Sequence, residues 1–243
     1  MHNGRIRQAV ILAAGNGTRL AAASPLPKPL VPVAGRALLD HILDGLREMK
    51  VSKAYIVVGY RSAEIQDHLR SSSNGLEIEW VHNPEYLLPN GISLLSVQGK
   101  VRDPFLLLMS DHLFERSTLK DLLGQQLPPQ GGILATDSKI QEVFDLGDAT
   151  KVQSIANRVR SMGKDLADFN AIDTGMFALT PAVFPALEKS IGKGDASLTG
   201  GIRSLAQSGI MQTWDIGARR WIDIDTPQAH HEAERLFDNG CFL

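Results

Sequence analysis

The residues best equipped for chemistry come early in the chain. In ILAAGNGTRLAAASPLPKPL, residues 11–30, an apolar run meets Gly15 and Gly17, then Thr18 and Arg19, and the stretch closes on Pro27-Lys28-Pro29-Leu30. Glycines let backbone N–H groups approach a bound anion. Arg19 adds a planar cation that can grip phosphate oxygens, and Lys28 is a point charge on a segment stiffened by prolines. That combination suits a polyphosphate. Two other phosphate loops are excluded. The spacing and lysine of G-x-x-x-x-G-K-[ST] are missing, and G-x-G-x-x-G meets Leu20 where its third glycine belongs. A surface turn with solvated charges is the alternative for these residues alone.

Acids supply the second half of the chemistry. Asp111 ends PFLLLMSD, a strand pattern, and the carboxyl ends of parallel strands are where open α/β sheets bind ligands. A hard carboxylate there suits Mg²⁺ shared with triphosphate oxygens; capping the next helix is its other reading. Asp223 and Asp225 alternate in WIDIDT, so a strand turns both to one face. Asp225, beside Thr226, has a local job available in starting the last helix. The Pro-Asn-Gly at 89–91 reads as a turn. Lys151, Arg158 and Lys164 read as solvated charges on a hairpin. His230 and His231 adjoin on a helix, cannot share a face as a metal pair would, and read as surface. His112 either orients the Asp111 loop or acts itself. No Ser-His-Asp or Cys-His nucleophile stands out.

These residues need a scaffold, and the patterns describe one. QAVILAA, KAYIVVGY, LEIEWVHN and PFLLLMSD read as strands, separated by helical patterns at ALLDHILDGLREMK and RSAEIQDHLR. STLKDLLGQQL follows as a helix with a serine cap. Beyond residue 131, GGILATDS, a hairpin in ATKVQSIANRVRSMGK, and IDTGMFALT are strands, followed by helices at PAVFPALEKS and SLTGGIRSLAQSG, the latter ending on Gly209. Two short strands in GIMQTWDIGARRWIDIDT precede a final helix with Thr226 as cap and Pro227 in its first turn. The fold class is α/β, a Rossmann-like, mostly parallel mixed sheet with helices on both faces. No linker or repeat divides residues 1–243, so one domain is expected.

The combination L-A-A-G-x-G-T-R-L and P-K-P-L resembles the signature of the sugar-phosphate nucleotidylyltransferases. NPEYLLPNGISLLSV, FLLLMSDHLF, FNAIDTGMFALTPAVF, DASLTGGIRSLAQSG and WIDIDTPQAHHEAERLF narrow the resemblance to CTP:inositol-1-phosphate cytidylyltransferases, over nearly the whole chain. The resemblance implies that Leu12, Ala13, Ala14, Gly15, Gly17 and Thr18 wrap the nucleotide, and that Arg19 and Lys28 act on its phosphates. It implies Asn90 and Ser93 beside the nucleotide, Lys151, Asp173, Thr174 and Gly175 at the acceptor, and Asp111 and Asp223 as metal ligands. The implied reaction joins CTP to a polyol or sugar phosphate, with Mg²⁺, releasing pyrophosphate. Many members carry this domain fused to a membrane-embedded CDP-alcohol phosphotransferase. The expectation here is a separate phosphotransferase downstream.

Three alternatives stand beside this. A UTP- or dTTP-dependent sugar-1-phosphate enzyme fits the loop equally well. A phosphocholine or aminophosphonate cytidylyltransferase would want an aromatic or acidic box, and around Trp80 and Tyr86 that box is thin. An inactive nucleotide-binding regulatory module would not need Arg19, Lys28, Asp111 and Asp223 together. The bulk numbers exclude other classes. A net charge of −2 and a pI near 6.4 give no basic field for nucleic acid. The one cysteine, Cys241, cannot build a disulfide framework and points to a reducing, cytoplasmic setting. MHNGRIRQAV lacks a leader's apolar stretch, and no apolar run reaches the roughly 18 residues of a membrane span.

Overall fold

QAVILA forms β1 (Gln8–Ala13), whose alternate residues enter two different cores: Ala9, Ile11 and Ala13 one, Val10 and Leu12 the other. A strand buried on both faces needs a continuous apolar run, and this one has it. The structure, a computed structural model, describes residues 6–21, 24–70 and 75–242; Met1 to Arg5, part of the stretch that argued against a leader, lie outside them.

After β1 come α1 (Thr18–Ala21), a 3-10 turn at Lys28–Leu30, β2 (Pro32–Val33), β3 (Arg36–Ala37) and α2 (Leu38–Glu48). β4 (Lys53–Val58), α3 (Ser62–Leu69), β5 (Glu77–His82) and α4 (Asn90–Leu95) follow. The middle of the chain contains β6 (Phe105–Met109), β7 (His112–Phe114), α5 (Arg116–Leu123) and β8 (Gly132–Asp137). The remainder contains β9 (Lys151–Ile155), β10 (Arg158–Gly163), β11 (Ala171–Leu179), α6 (Val183–Ile191), α7 (Leu198–Gln207), β12 (Met211–Asp215), β13 (Trp221–Asp223) and α8 (Pro227–Asp238).

Nine strands form the main sheet in the order β5-β4-β1-β6-β11-β8-β12-β10-β9. The first four are mutually parallel, as is β8 with β12, while β11, β10 and β9 run against their neighbours. The chain builds outward from β1 through β4 to β5, then crosses back to lay β6 on the other side of β1. Loops leaving β1 and β6 therefore diverge and open a crevice at their carboxyl ends, the usual ligand position in such sheets. Apolar residues of α2, α3 and α5 cover one face, and those of α4, α6 and α7 the other. A third core packs Ala229, Ala233 and Leu236 of α8 against Leu113 and Ile222, where β7 and β13 pair as a separate ribbon.

Local chemistry explains most boundaries. Ala156 and Asn157, both with positive φ, make the two-residue hairpin between β9 and β10. Gly209, at φ +72°, ends α7, with the Gly209 and Ile210 amides donating to Ala206 and Leu205 carbonyls. Thr226 caps α8 by accepting the Ala229 amide. Two expectations fail. The helix expected to start on a Ser117 cap begins one residue earlier, at Arg116, with no side-chain cap. The Pro-Asn-Gly at 89–91 does not make a free turn. Pro89 precedes helix α4, and Gly91 packs so closely on the Ala196 carbonyl that a Cβ would stand 2.4 Å from it.

Candidate active site

The centre of the crevice is an ion cluster assembled from three remote parts of the chain. Lys28 comes from the 3-10 turn after the glycine loop, and its side chain is only 8% exposed. Its ammonium donates to Asp111 Oδ2 at 2.5 Å and to Asp225 Oδ1, and stands 3.8 Å from Asp223 Oδ1. Burial alone would lower the ammonium's pKa, but Asp111, Asp223 and Asp225 outweigh it and hold it above its ordinary range. A lysine flanked by prolines looks like a poor core residue, yet this one is buried because three carboxylates surround it.

Asp111 sits between β6 and β7, and its carbonyl accepts the Ile224 amide, tying the end of β13 to the crevice. Burial works to raise its carboxyl pKa, and the adjacent Lys28 and His112 reverse this and hold it well below the usual carboxylate range. Asp223 lies directly opposite His112 in the β7–β13 register. Burial and the neighbouring Asp111 push its carboxyl upward, against His112 and Lys28. His112 donates from Nδ1 to Asp111 Oδ1 at 2.7 Å, and the two aspartates raise it to about 9 against the effect of burial. The bond holds the ring against the Asp111 carboxylate.

Asp225 overturns its expected local job. Thr226 does the capping, while Asp225 faces the crevice and binds both Lys28 and Arg19. Arg19 also reaches Asp148 Oδ2 at 2.9 Å, and Lys164 meets the other oxygen of the same carboxylate. Lys164 lines the crevice and is thus no free hairpin charge. The hidden signal was the alternation in WIDIDT, which places Asp225 with Asp223; a helix start nearby obscured it.

The remaining candidate residues divide clearly. Arg19, Asn90, Asp111, Asp173, Gly175 and Asp223 line one cavity of about 300 Å³. Gly17 and Lys28 line a smaller one of about 150 Å³, together with Tyr60 and Arg61. Leu12 and Ala13 are buried at the end of β1 and Ala14 just beyond it, Gly15 is exposed in the loop, and Thr18 is exposed at the start of α1. Asn90 is committed locally, its side-chain oxygen accepting the Leu198 amide at the start of α7. Ser93 is buried and accepts from the Asn83 amide, outside either cavity. Thr174, expected to offer a hydroxyl to the acceptor, is fully buried and donates it to the Ala135 carbonyl. Lys151 donates to the Gly147 carbonyl at 3.2 Å, holding the loop rather than lining the cavity. Burial raises Asp173 to about 6, and its Oδ1 accepts the Gly175 amide. His231 is exposed as expected, but His230 is half-buried, its ring nitrogen 2.7 Å from the Pro32 carbonyl oxygen.

One atom argues for a cation. Asp223 Oδ1 is buried with no hydrogen-bond partner among the described residues. One ligand atom each from Asp111, His112 and Asp223 lies within 4.8 Å of the others. Hard carboxylate oxygens in such a group fit a small divalent ion.

Residues 9–206 match the family described as the MobA-like NTP transferase domain. The chain belongs to that family. It is a nucleotidyltransferase, with the α/β fold of nucleotide-diphospho-sugar transferases. It is 35% identical over 231 residues to the bifunctional IPC transferase and DIPP synthase of Thermococcus kodakarensis, covering 94% of this chain and 50% of that protein. The chain thus spans about half the length of the first curated relatives it matches. Against the UTP–glucose-1-phosphate uridylyltransferase AglF of Haloferax volcanii it is 30% identical, covering 94% and 95% of the two chains. In three dimensions this nucleotidyltransferase is similar to the inositol-1-phosphate CTP transferase from T. maritima, with TM-score 0.82, 26% identity and 99% of both chains covered. Among the described residues no helix is long and apolar enough to cross a membrane.

Proposed function

We propose that the chain acts as one cytidylyltransferase domain, in the cytoplasm, condensing CTP with inositol 1-phosphate or a related polyol or sugar phosphate. The observation that carries this reading is the meeting of Arg19, Lys28, Asp111 and Asp223 at the carboxyl edge of β1 and β6. The likeness to an inositol-1-phosphate CTP transferase supports CTP and the acceptor.

A phosphate oxygen of the acceptor attacks the α-phosphorus of CTP. The new P–O bond forms as the bond to pyrophosphate breaks, and pyrophosphate leaves with that electron pair. The attacking oxygen is already anionic, so the protein supplies no strong base. Its work is alignment and charge. The glycine loop holds the triphosphate with backbone amides, while Arg19 and Lys28 exchange their carboxylate partners for phosphate oxygens. Asp173 and the Gly175 backbone form the acceptor side. Asp111 and Asp223 would hold Mg²⁺, which supplies neutralisation of phosphate charge that two cationic side chains leave in excess. A CDP-linked product of this kind is the donor for a CDP-alcohol phosphotransferase, the class of enzyme that would consume it.

Pyrophosphate release, measured across CTP, UTP, dTTP, ATP and GTP with a panel of phosphate esters, tests the reading. CTP with inositol 1-phosphate is expected to be fastest. Faster release from UTP or dTTP with glucose 1-phosphate overturns it in favour of a sugar-1-phosphate enzyme, for which the likeness to the Haloferax volcanii protein is the support.

A further inference from the structure

The two acids proposed to hold the metal meet where the main sheet joins the β7–β13 ribbon. Asp111 lies between β6 of the nine-stranded sheet and His112, the first residue of β7, and Asp223 ends β13 opposite His112. Backbone pairing of Ile224 with Asp111 sets their spacing, and one side-chain bond from the main sheet bears on how the side chains beside them are held. Asp137, at the end of β8 in the main sheet, has a side chain only 5% exposed. Its Oδ2 accepts the indole N–H of Trp221 at 2.9 Å, and Trp221 is the first residue of β13, two before Asp223. The Trp221 ring then stacks on His112, with centroids 5.7 Å apart and planes at 15°. His112 in turn bonds Asp111. Gly175 also leaves no room beside the imidazole: a Cβ there would lie 2.7 Å from the ring. Lys139 satisfies the other Asp137 oxygen, through its backbone amide at 2.8 Å and its ammonium at 2.7 Å.

We infer that Asp137 and Trp221 are positioning residues for the metal-binding pair, acting through His112 and the ribbon to set where Asp111 and Asp223 stand. Neither ligates the ion. Asp137 fixes the indole, the indole stacks on the imidazole that Gly175 also crowds, and the imidazole holds the Asp111 carboxylate. The inference rests on the proposed metal role of the two aspartates. Partners bonded directly to a ligand, as His112 is, typically change metal affinity by about ten- to a hundredfold when lost, and groups acting through such a partner fall at the lower end.

The test is Mn²⁺ half-saturation, followed by electron paramagnetic resonance with CTP, UTP or dTTP present and no acceptor. Asp137→Ala is expected to weaken Mn²⁺ by up to about tenfold. Asp137→Asn keeps one oxygen for the indole but turns an NH₂ toward the Lys139 donors, and is expected to recover part of that loss. Trp221→Phe keeps the stack but lacks the N–H. It should weaken Mn²⁺ as Asp137→Ala does, and it carries the test if Asp137→Ala does not fold. The double variant should be no worse than the poorer single one, since both remove the same bond. Wild-type Mn²⁺ affinity in Asp137→Ala or Trp221→Phe, or additive losses in the double variant, overturn the inference. So does an absence of Mn²⁺ uptake by the wild type with every triphosphate. A base order other than CTP first touches only the proposed substrate, because the variant-to-wild-type ratio is read with whichever triphosphate supports uptake.

Discussion

The ammonium of Lys28 meets the carboxylate of Asp225, 197 positions further along the chain, and Arg19 holds that same carboxylate from the other side. The two cations of the glycine-loop region are thus pinned by one acid before any phosphate arrives. Asp111 and Asp223, on either hand, complete a cluster in which every charge depends on its neighbours.

Asp225→Asn should lower kcat by up to about a hundredfold, because small misplacements of aligned cations are expensive in rate. Its Mg²⁺ half-saturation should stay near wild type, whereas Asp111→Asn and Asp223→Asn should each shift it strongly. Steady-state kinetics over a Mg²⁺ series separates the two kinds of acid. Full activity in Asp225→Asn would return that residue to a purely local role.

Lys28→Met should reduce turnover by about a hundredfold or more through loss of a cation at the developing charge. The structure adds a second effect, since removing the ammonium leaves Asp111, Asp223 and Asp225 with only His112 and Arg19 to compensate them. Stability in EDTA should fall by about 2 kcal/mol or more, and Mg²⁺ should recover part of it. Thermal melts with EDTA and with Mg²⁺ read this directly. Equal melting in both, at the wild-type value, would mean the carboxylates do not need the lysine.

Asp173 gives a prediction in pH. Its carboxyl is raised from 3.8 to about 6 on folding, with burial the main cause and the Gly175 amide opposing it. The folded protein therefore binds this proton more tightly than the unfolded chain. Stability falls as pH climbs from about 4 to about 6 and the penalty is constant above. Asp173→Asn should therefore be more stable than wild type at pH 7.5, by about 3 kcal/mol, and no more stable at pH 3.5. Acceptor KM should rise at the same time. Denaturant melts at the two pH values check the sign.

Gly175→Ala combines two penalties. The backbone there has φ +74°, and the added methyl would meet His112 Cδ2 at 2.7 Å. A loss of about 1–3 kcal/mol is expected. Calorimetric melting should show it, and an unchanged Tm would mean the imidazole moves aside freely.

Much of this protein was legible before any coordinate. Continuous apolar runs such as QAVILA and FLLLM can only be strands buried on both faces, and alternation with amphipathic helices such as LLDHILDGLRE implies a layered α/β sheet. Glycines followed by arginine, with a lysine between prolines, announced phosphate chemistry because so few side chains can do that work. Local capping by Thr226 and Gly209 was readable for the same reason: the interactions span only a few residues.

What only the tertiary structure decided was partnership. Whether Asp223 or Asp225 stands free, whether Lys28 is solvated or enclosed by acids, and whether the Thr174 hydroxyl faces a ligand or the Ala135 carbonyl all depend on contacts across the sheet. Spacing along the chain fixes a side chain's face on its own element and nothing about what another element brings to meet it. Asp137 and Trp221 show this most plainly. One ends a strand of the main sheet, the other begins a strand of the ribbon, and 84 residues separate them. Their bond exists because two independently formed bodies pack together, and packing is a property of the whole core, which no local pattern encodes.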